Sequence, residues 1–146
     1  MTITAEGLRI ELMENEKGAF FPVGSSEPNA EADQILTMLA AELGKLGNTL
    51  SIEGHTDAKP FAATASYGNF ELSADRANAA RRVMQQNGLA PKQVTQIRGY
   101  ADTRLRKPQA PEDPANRRIS VIVHYLNSTG ADELDKVVAD QKLPHR

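Results

Sequence analysis

The strand-like segments of this 146-residue chain each have one apolar and one polar face, and this pattern constrains the fold most. In residues 8–13 leucine and isoleucine alternate with charged residues, and Leu50 and Ile52 repeat the pattern in residues 50–56. Such alternation is typical of a strand that is buried on one side only. Because a sheet of these strands has a single apolar face, we expect the helices to pack on that face and the other face to be wet.

Two longer segments have the three- and four-residue spacing of apolar side chains that is typical of amphipathic helices. The first follows Asn29, a favourable N-cap residue, and reaches Leu46, and the second covers residues 69–87. Two more strands are predicted at residues 94–99 and 117–126. The sequence therefore predicts an α/β two-layer sandwich, with a mixed sheet of about four strands and the two long helices on one face.

The length is that of one domain. Residues 1–28 are predicted to form an N-terminal strand and a connector, and residues 29–127 the core of the domain. The first strand, at residues 8–13, belongs to the sheet of that core. Residues 128–146 form a C-terminal tail, in which the apolar spacing is compatible with a short helix.

Composition excludes several classes of protein. The formal charge is −2, from 17 basic and 19 acidic residues, so no general attraction to polyanions is expected. The absence of cysteine excludes disulfide frameworks and thiolate metal sites. There is no apolar run of about 18 residues and no basic, apolar leader at the start, so we expect neither a membrane span nor an export signal in this chain.

Arg76 is out of place in the second helix, because at 100° per residue it falls in the middle of the apolar face. A guanidinium group remains charged and needs partners when it is buried. Two interpretations remain open. In the first, Arg76 has a structural role, either in an ion pair or as a side chain that extends past the edge of the core to water. In the second, Arg76 binds the acidic group of a ligand.

Other polar residues are expected to converge on the same end of the sheet. Thr56 and Asp57 follow a strand, Asn69 begins the second helix, and Asn116 to Arg118 enter the last strand. Sites in open α/β sheets gather at the carboxyl ends of strands. A pocket with an aspartate at one end and an arginine at the other suits a zwitterion that carries an ammonium and a carboxylate.

Three segments carry a family resemblance: IEGHTD at Ile52–Asp57, YGNFELSADRA at Tyr67–Ala77 and NRRI at Asn116–Ile119. They resemble the signature segments of OmpA-like peptidoglycan-binding domains, and within that family most resemble the flagellar-motor stator proteins. The resemblance covers about Ala5 to Asn127. It implies a non-catalytic periplasmic domain that holds the diaminopimelate-containing stem peptide of peptidoglycan and needs no cofactor.

By position, the resemblance implies that Asp57 binds the ammonium group of diaminopimelate and Arg76 its carboxylate. It implies that Asn69 hydrogen-bonds the ligand, with Thr56 and Arg118 in support. The predicted ligand-binding residues are therefore Asp57, Arg76, Thr56, Asn69, Asn116 and Arg118.

The resemblance also implies partners and a location. A stator protein of this type is a homodimer and a single-pass inner-membrane protein, whose periplasmic domain this chain would be, with a membrane-embedded MotA-like subunit as partner. One alternative is a cell-wall anchor of an outer-membrane protein or lipoprotein that has no part in motility.

Other functions are less well supported by the sequence. A cell-wall hydrolase could use Glu53, His55 and Asp57, but no serine or cysteine nucleophile accompanies them in the pattern. His55, His124 and His145 lack metal-ligand spacing, so no metal site is predicted. The basic residues at 104–107 and 117–118 lie beside acidic residues 112 and 113 without aromatic runs, so no nucleic-acid partner is expected.

Overall fold

The computed structural model describes residues 1–14, 20–22, 25–60 and 66–126. Within them the strands and helices follow the predicted order, with one additional two-residue strand at the start. The elements are β1 (Thr2–Ile3), β2 (Gly7–Met13), α1 (Ala30–Leu43), β3 (Leu50–His55), α2 (Asn69–Gln86), β4 (Val94–Gly99) and β5 (Arg118–His124), with a 3₁₀ turn at Pro114–Asn116 before β5. The helix suggested for the C-terminal tail lies outside the described residues.

The strands form one mixed sheet in the order β1-β2-β5-β3-β4. β5 is antiparallel to both β2 and β3, and β3 is parallel to β4. The prediction of a mixed α/β sheet is confirmed, although it has five strands rather than about four. β1 is too short to produce an alternating pattern, which needs at least four residues.

Both helices contribute to one core on the apolar face of the sheet. The buried side chains of this core come from α1, α2 and the central strands, and include Leu36, Ala40, Leu50, Ile52, Ala77, Ala80, Met84, Val121 and Val123. The Asn29 side chain accepts a hydrogen bond from the backbone N–H of Ala32 at 2.9 Å, which confirms the predicted cap of α1. α1 ends at Leu43, earlier than the apolar pattern suggested, because the backbone hydrogen bonds beyond Gly44 change to the i→i−3 type, from Lys45 to Glu42 and from Leu46 to Leu43.

α2 lies unusually close to β3, because β3 contains a glycine at the contact. A Cβ atom built on Gly54 would lie 2.0 Å from the carbonyl oxygen of Ser73, far inside van der Waals contact. The Ser73 hydroxyl also accepts a hydrogen bond from the backbone N–H of Ala101 at 3.0 Å. These contacts hold α2, and with it Arg76, against the end of β3.

The other face of the sheet was expected to be wet, and at its centre that prediction is wrong. Glu53 is fully buried there, with Oε1 accepting from Arg9 Nη1 at 2.7 Å and Oε2 accepting from Arg98 Nη1 at 2.9 Å. Arg98 also pairs with Glu6. The arginine side chains neutralise the acid and help to cover it, so alternation correctly indicated polar residues but not their exposure.

Burial by itself would raise the pKa of Glu53. Hydrogen bonds from His55, Arg9 and Arg98 instead lower that pKa to about 2. We call the group formed by Glu6, Arg9, Glu53, His55 and Arg98 the outer-face cluster. Each arginine of this cluster has an acidic partner within the cluster.

Candidate functional site

The candidate site lies where β3 ends and α2 begins, as predicted. Thr56 and Asp57 directly follow β3, and both are buried. The Thr56 hydroxyl donates to the backbone carbonyl of Asp57 at 2.9 Å, and the Thr56 N–H donates to the carbonyl of Ala101. Thr56 therefore shapes the backbone that presents the Asp57 carboxylate.

Asp57 is only 5% exposed, and its carboxylate already accepts from two donors. Oδ1 accepts from the backbone N–H of Lys59 at 3.0 Å, and Oδ2 accepts from Arg117 Nη1 at 2.5 Å. An ionised carboxylate can accept about four hydrogen bonds in total. Asp57 therefore keeps acceptor capacity for an additional cation.

Arg117 connects Asp57 to a second buried acid. Its Nε donates to Oε1 of Glu14 at 2.7 Å, while its Nη1 donates to Asp57. Burial would lower the pKa of Arg117, but its hydrogen bonds to Glu14 and Asp57 raise that pKa above the usual value. We call Glu14, Asp57, Arg76 and Arg117 the site cluster.

Glu14 and Arg117 were not among the ligand-binding residues predicted from the sequence. A signal was available in the strand alternation. Glu14 continues the inward positions of Leu8, Ile10 and Leu12 past the end of β2, and Arg117 continues the inward positions of β5 in the other direction. Two charged residues at inward positions of neighbouring strand ends indicate an ion pair, and the backbone N–H of Glu14 donates to the carbonyl of Arg117 at 3.1 Å.

Arg76 is 6% exposed, so the sequence-based expectation that it is buried holds. Its Nε donates to the carbonyl of Ser25 at 2.9 Å and its Nη2 to that of Pro22 at 3.4 Å. Its guanidinium carbon lies 4.9 Å from the centroid of the Phe21 ring. All three contacts come from described residues of the connector between β2 and α1, which form one wall around Arg76.

Arg76 lacks an acidic partner in the described part of the chain. None of the described carboxylates lies within 4 Å of its guanidinium nitrogens. Burial lowers the pKa of Arg76, an effect that the negative charges of Glu14 and Asp57 oppose. Of the open interpretations, neither a direct ion pair with the described residues nor a side chain extending to water fits. A buried cation whose contacts with the described residues are carbonyl groups and a ring remains suited to an incoming acid.

The remaining predicted residues lie in three different places. Asn69 begins α2, and its Nδ2 donates to the carbonyl of Lys59 at 3.0 Å, so it lies beside the Asp57 loop. Asn116 is fully buried and braces the preceding loop. Its Oδ1 accepts from the N–H of Lys107, and its Nδ2 donates to the carbonyls of Ala110 and Pro111.

Arg118 is not brought to the site cluster. It occupies an outward position of β5, where its Nε donates to Glu11 Oε2 at 2.9 Å and its Nη2 to the carbonyl of Arg104 at 2.8 Å. The side chain of Arg118, which was predicted to support ligand binding, points away from Asp57, because successive residues of a strand point to opposite faces. Arg117, its neighbour, contacts Asp57.

Glu53 and His55, which were considered for hydrolysis, are engaged in other contacts. Glu53 is held by two arginines, and burial lowers the pKa of His55, whose ring stacks on Tyr100 at 5.1 Å. Ser51 contacts His124 Nε2 at 2.7 Å, but Ser51 is fully buried, and His124 Nδ1 faces the Thr49 hydroxyl rather than an acid. A substrate carbonyl could not reach such a serine.

Comparison with known proteins gives a consistent picture. The OmpA family matches residues 20–119 of this chain. Motility protein B of Escherichia coli K12 is 38% identical over 122 residues, which are 83% of this chain and 40% of that protein. The chain thus spans well under half the length of this relative. No helix among the described residues has the length and apolarity that crossing a membrane requires.

Solved structures have the same fold. The periplasmic domain of Helicobacter pylori MotB matches with a TM-score of 0.71 and 20% identity, over 94% of this chain and 95% of that one. The cell wall anchor of the T6SS from Pseudomonas aeruginosa matches with a TM-score of 0.65 and 23% identity, over 81% of each chain.

Proposed function

Since this chain belongs to the OmpA family, we propose that it binds peptidoglycan through the diaminopimelate residue of the stem peptide and does not cleave it. The observation that carries the proposal is the buried Arg76, which has no carboxylate partner in the described structure. Arg76 lies close enough to buried Asp57 for the negative charge of Asp57 to act on its pKa. One cation and one acid in this arrangement complement a zwitterion.

The hydrogen-bonding capacity of both side chains supports this assignment. Arg76 uses Nε and one N–H of Nη2 for the connector, so its Nη1 edge is the part that would meet the ligand carboxylate. Asp57 retains lone pairs for the ligand ammonium. Asn69 lies next to the Asp57 loop and would donate to or accept from the peptide.

The affinity of a single domain for a soluble fragment is expected to be moderate. Each charge-assisted hydrogen bond contributes about 1.5–3 kcal/mol before the ligand is ordered. Two linked copies bound to the same insoluble mesh would hold far more firmly, because the second binding event is intramolecular. This favours an anchoring role in a dimer.

We propose further that the anchored assembly is a flagellar-motor stator. In that case the chain is the periplasmic part of a single-pass inner-membrane protein, works as a homodimer and has a MotA-like subunit as its membrane partner. The identity to motility protein B and the likeness to MotB periplasmic domains support this proposal. The likeness to a T6SS cell wall anchor supports the alternative, a wall anchor without a role in motility.

Sedimentation with purified diaminopimelate-type peptidoglycan tests the binding proposal. The wild-type protein should appear in the pellet, and Asp57→Asn should leave it in the supernatant, because the ligand ammonium loses its counter-charge. Asp33→Asn is the matched control, since Asp33 is an exposed acid of α1. Retention of Asp57→Asn in the pellet at the wild-type level would show that Asp57 has another role.

The stator proposal needs a separate experiment in cells. Deletion of the gene should abolish swimming while leaving flagellar filaments in place. Restoration of swimming by the wild-type gene but not by the Asp57→Asn gene would tie peptidoglycan binding to torque generation. Normal swimming of the deletion strain would instead favour the wall anchor without a role in motility.

A further inference from the structure

Glu14 is a buried acid next to the proposed binding site to which neither the motif resemblance nor the proposed function gives a role. It is 4% exposed and directly follows β2. Its backbone N–H donates to the carbonyl of Arg117, so the two residues are neighbours across adjacent strands. Their side chains meet on the inner side of the sheet, where leaving a buried charge unpaired costs free energy.

The two oxygens of Glu14 have different partners. Oε1 accepts from Arg117 Nε at 2.7 Å, and Oε2 accepts from the backbone N–H of Phe20 at 3.0 Å. The next residue, Phe21, lies against the Arg76 guanidinium. One carboxylate therefore holds Arg117 and also the start of the segment that surrounds Arg76.

Glu14 also restricts the way in which Arg117 contacts Asp57. With Nε held by Glu14, Arg117 offers Nη1 to Asp57 and contacts only Oδ2 of that carboxylate. A planar guanidinium that is free to turn would prefer a bidentate contact with both oxygens of Asp57. Such a contact would occupy the lone pairs on which the ligand ammonium depends.

The charges of the site cluster lead to the same conclusion. Two arginines and two acids balance while Glu14 is present, and the incoming ligand is itself a zwitterion. Without the Glu14 charge the cluster would carry one excess positive charge, which would repel an ammonium and attract a carboxylate.

We infer that Glu14 is a positioning residue of the site, which restrains Arg117 and so keeps Asp57 available to the ammonium group of the ligand. The inference rests on the proposed function. It assigns Glu14 a role in selectivity for the amine and not in general affinity.

Two soluble probes separate these effects: a stem tripeptide that ends in diaminopimelate, and the same peptide acetylated at the free diaminopimelate amine. Calorimetry should show that Glu14→Gln weakens binding of the free-amine peptide by about tenfold, because one charge-assisted contact is lost. Binding of the acetylated peptide should stay equal or become tighter. Glu27→Gln is the control, since Glu27 is an exposed acid of the same connector.

A double variant shows whether Glu14 acts through Arg117. Combining Glu14→Gln with Arg117→Gln removes the competitor for Asp57, so the preference for the free amine should return toward the wild-type ratio. This measurement also decides the question if Glu14→Gln alone fails to fold in thermal unfolding. A double variant that still lacks the preference would overturn the inference.

The remaining outcomes are distinct from one another. If the wild-type protein binds neither peptide, the proposed function fails first. If the wild-type protein prefers the free amine and Glu14→Gln keeps the same preference, or weakens both peptides equally, only the positioning role of Glu14 is wrong.

Discussion

The outer-face cluster and the site cluster both bury an acid next to arginines, and the two acids, Glu53 and Asp57, are four residues apart in the chain. They differ in whether every arginine is paired with an acid by direct contact. In the outer-face cluster each arginine has an acidic partner: Arg9 pairs with Glu53, and Arg98 pairs with Glu53 and Glu6. In the site cluster Arg117 has two acids, whereas Arg76 has only carbonyl groups and an aromatic ring among the described residues.

This difference distinguishes charges that stabilise the fold from a charge that is available to a ligand. In a buried ion pair both charges are already neutralised, and removing one member leaves the other unpaired. A buried cation without an acid is a poor contributor to stability but a good receptor for an anion. The proposed binding site is therefore distinguished by a buried charge that has no direct ion-pair partner among the described residues, and not by buried charge as such.

The largest expected effect tests the outer-face cluster. Glu53→Gln should lower the free energy of unfolding by about 4 kcal/mol, because Arg9 and Arg98 lose a buried counter-charge. Urea unfolding measures this change. Glu42→Gln, which removes the acid of an exposed pair with Lys45, should change it by less than about 1 kcal/mol.

The same variant should sediment with peptidoglycan like the wild type at a temperature where it is folded. A Glu53→Gln protein that is folded but no longer binds would show that the two clusters are coupled, and the comparison would fail.

Acid titration of the wild-type protein should show how much the ionised Glu53 of the outer-face cluster contributes to stability. The pKa of Glu53 is about 2 in the folded protein against an ordinary value of 4.5, so the unfolded chain binds the proton more readily. Glu53 therefore stabilises the fold above pH 4.5, and this contribution of about 3 kcal/mol is lost as the pH falls from 4.5 to 2. Unfolding free energies over this range should decline less steeply in Glu53→Gln, and equal slopes would contradict the assignment.

Removal of the Arg76 charge tests the site cluster. Arg76→Met should change the free energy of unfolding by no more than about 1 kcal/mol, because an apolar side chain of similar length replaces a charge that has no acidic partner among the described residues. The affinity for a diaminopimelate fragment should nevertheless fall about 10- to 100-fold, since the ligand carboxylate loses its charged donor.

A lysine-containing fragment provides the control, because lysine has the amine but not the second carboxylate. Its affinity should be low for the wild-type protein and unchanged by Arg76→Met. A large loss of stability with normal diaminopimelate binding would place Arg76 in the same category as Arg9.

Much of the fold follows from the sequence because it depends on regular periods. One-sided alternation in β2 and β3 placed both helices on one face, and the position of Arg76 on the apolar side of α2 predicted its burial. These inferences depend only on the spacing of residues within one strand or helix, and this spacing can be read from the sequence.

The composition of the site cluster was harder to predict because it depends on what happens beyond the strand ends. Glu14 and Arg117 lie just outside the alternating segments, and only the antiparallel register of β2 and β5 brings them together. Asn116 forms hydrogen bonds within the loop before β5. A loop has no regular spacing of residues from which such contacts could be predicted. Strand parity alone could have separated Arg117 from Arg118, whereas the loop contacts of Asn116 require the three-dimensional structure.

The close approach of α2 to β3 has a consequence for the distance between the two charges that we assign to the ligand. Gly54 lies three residues before Asp57, and its contact, Ser73, lies three residues before Arg76. The backbones of β3 and α2 are in contact at this point. This contact sets the distance between the acidic side chain of Asp57 and the cationic side chain of Arg76. Selectivity for a ligand of one particular length would then depend on a hydrogen atom at Gly54, where any larger group would spread the two charges apart.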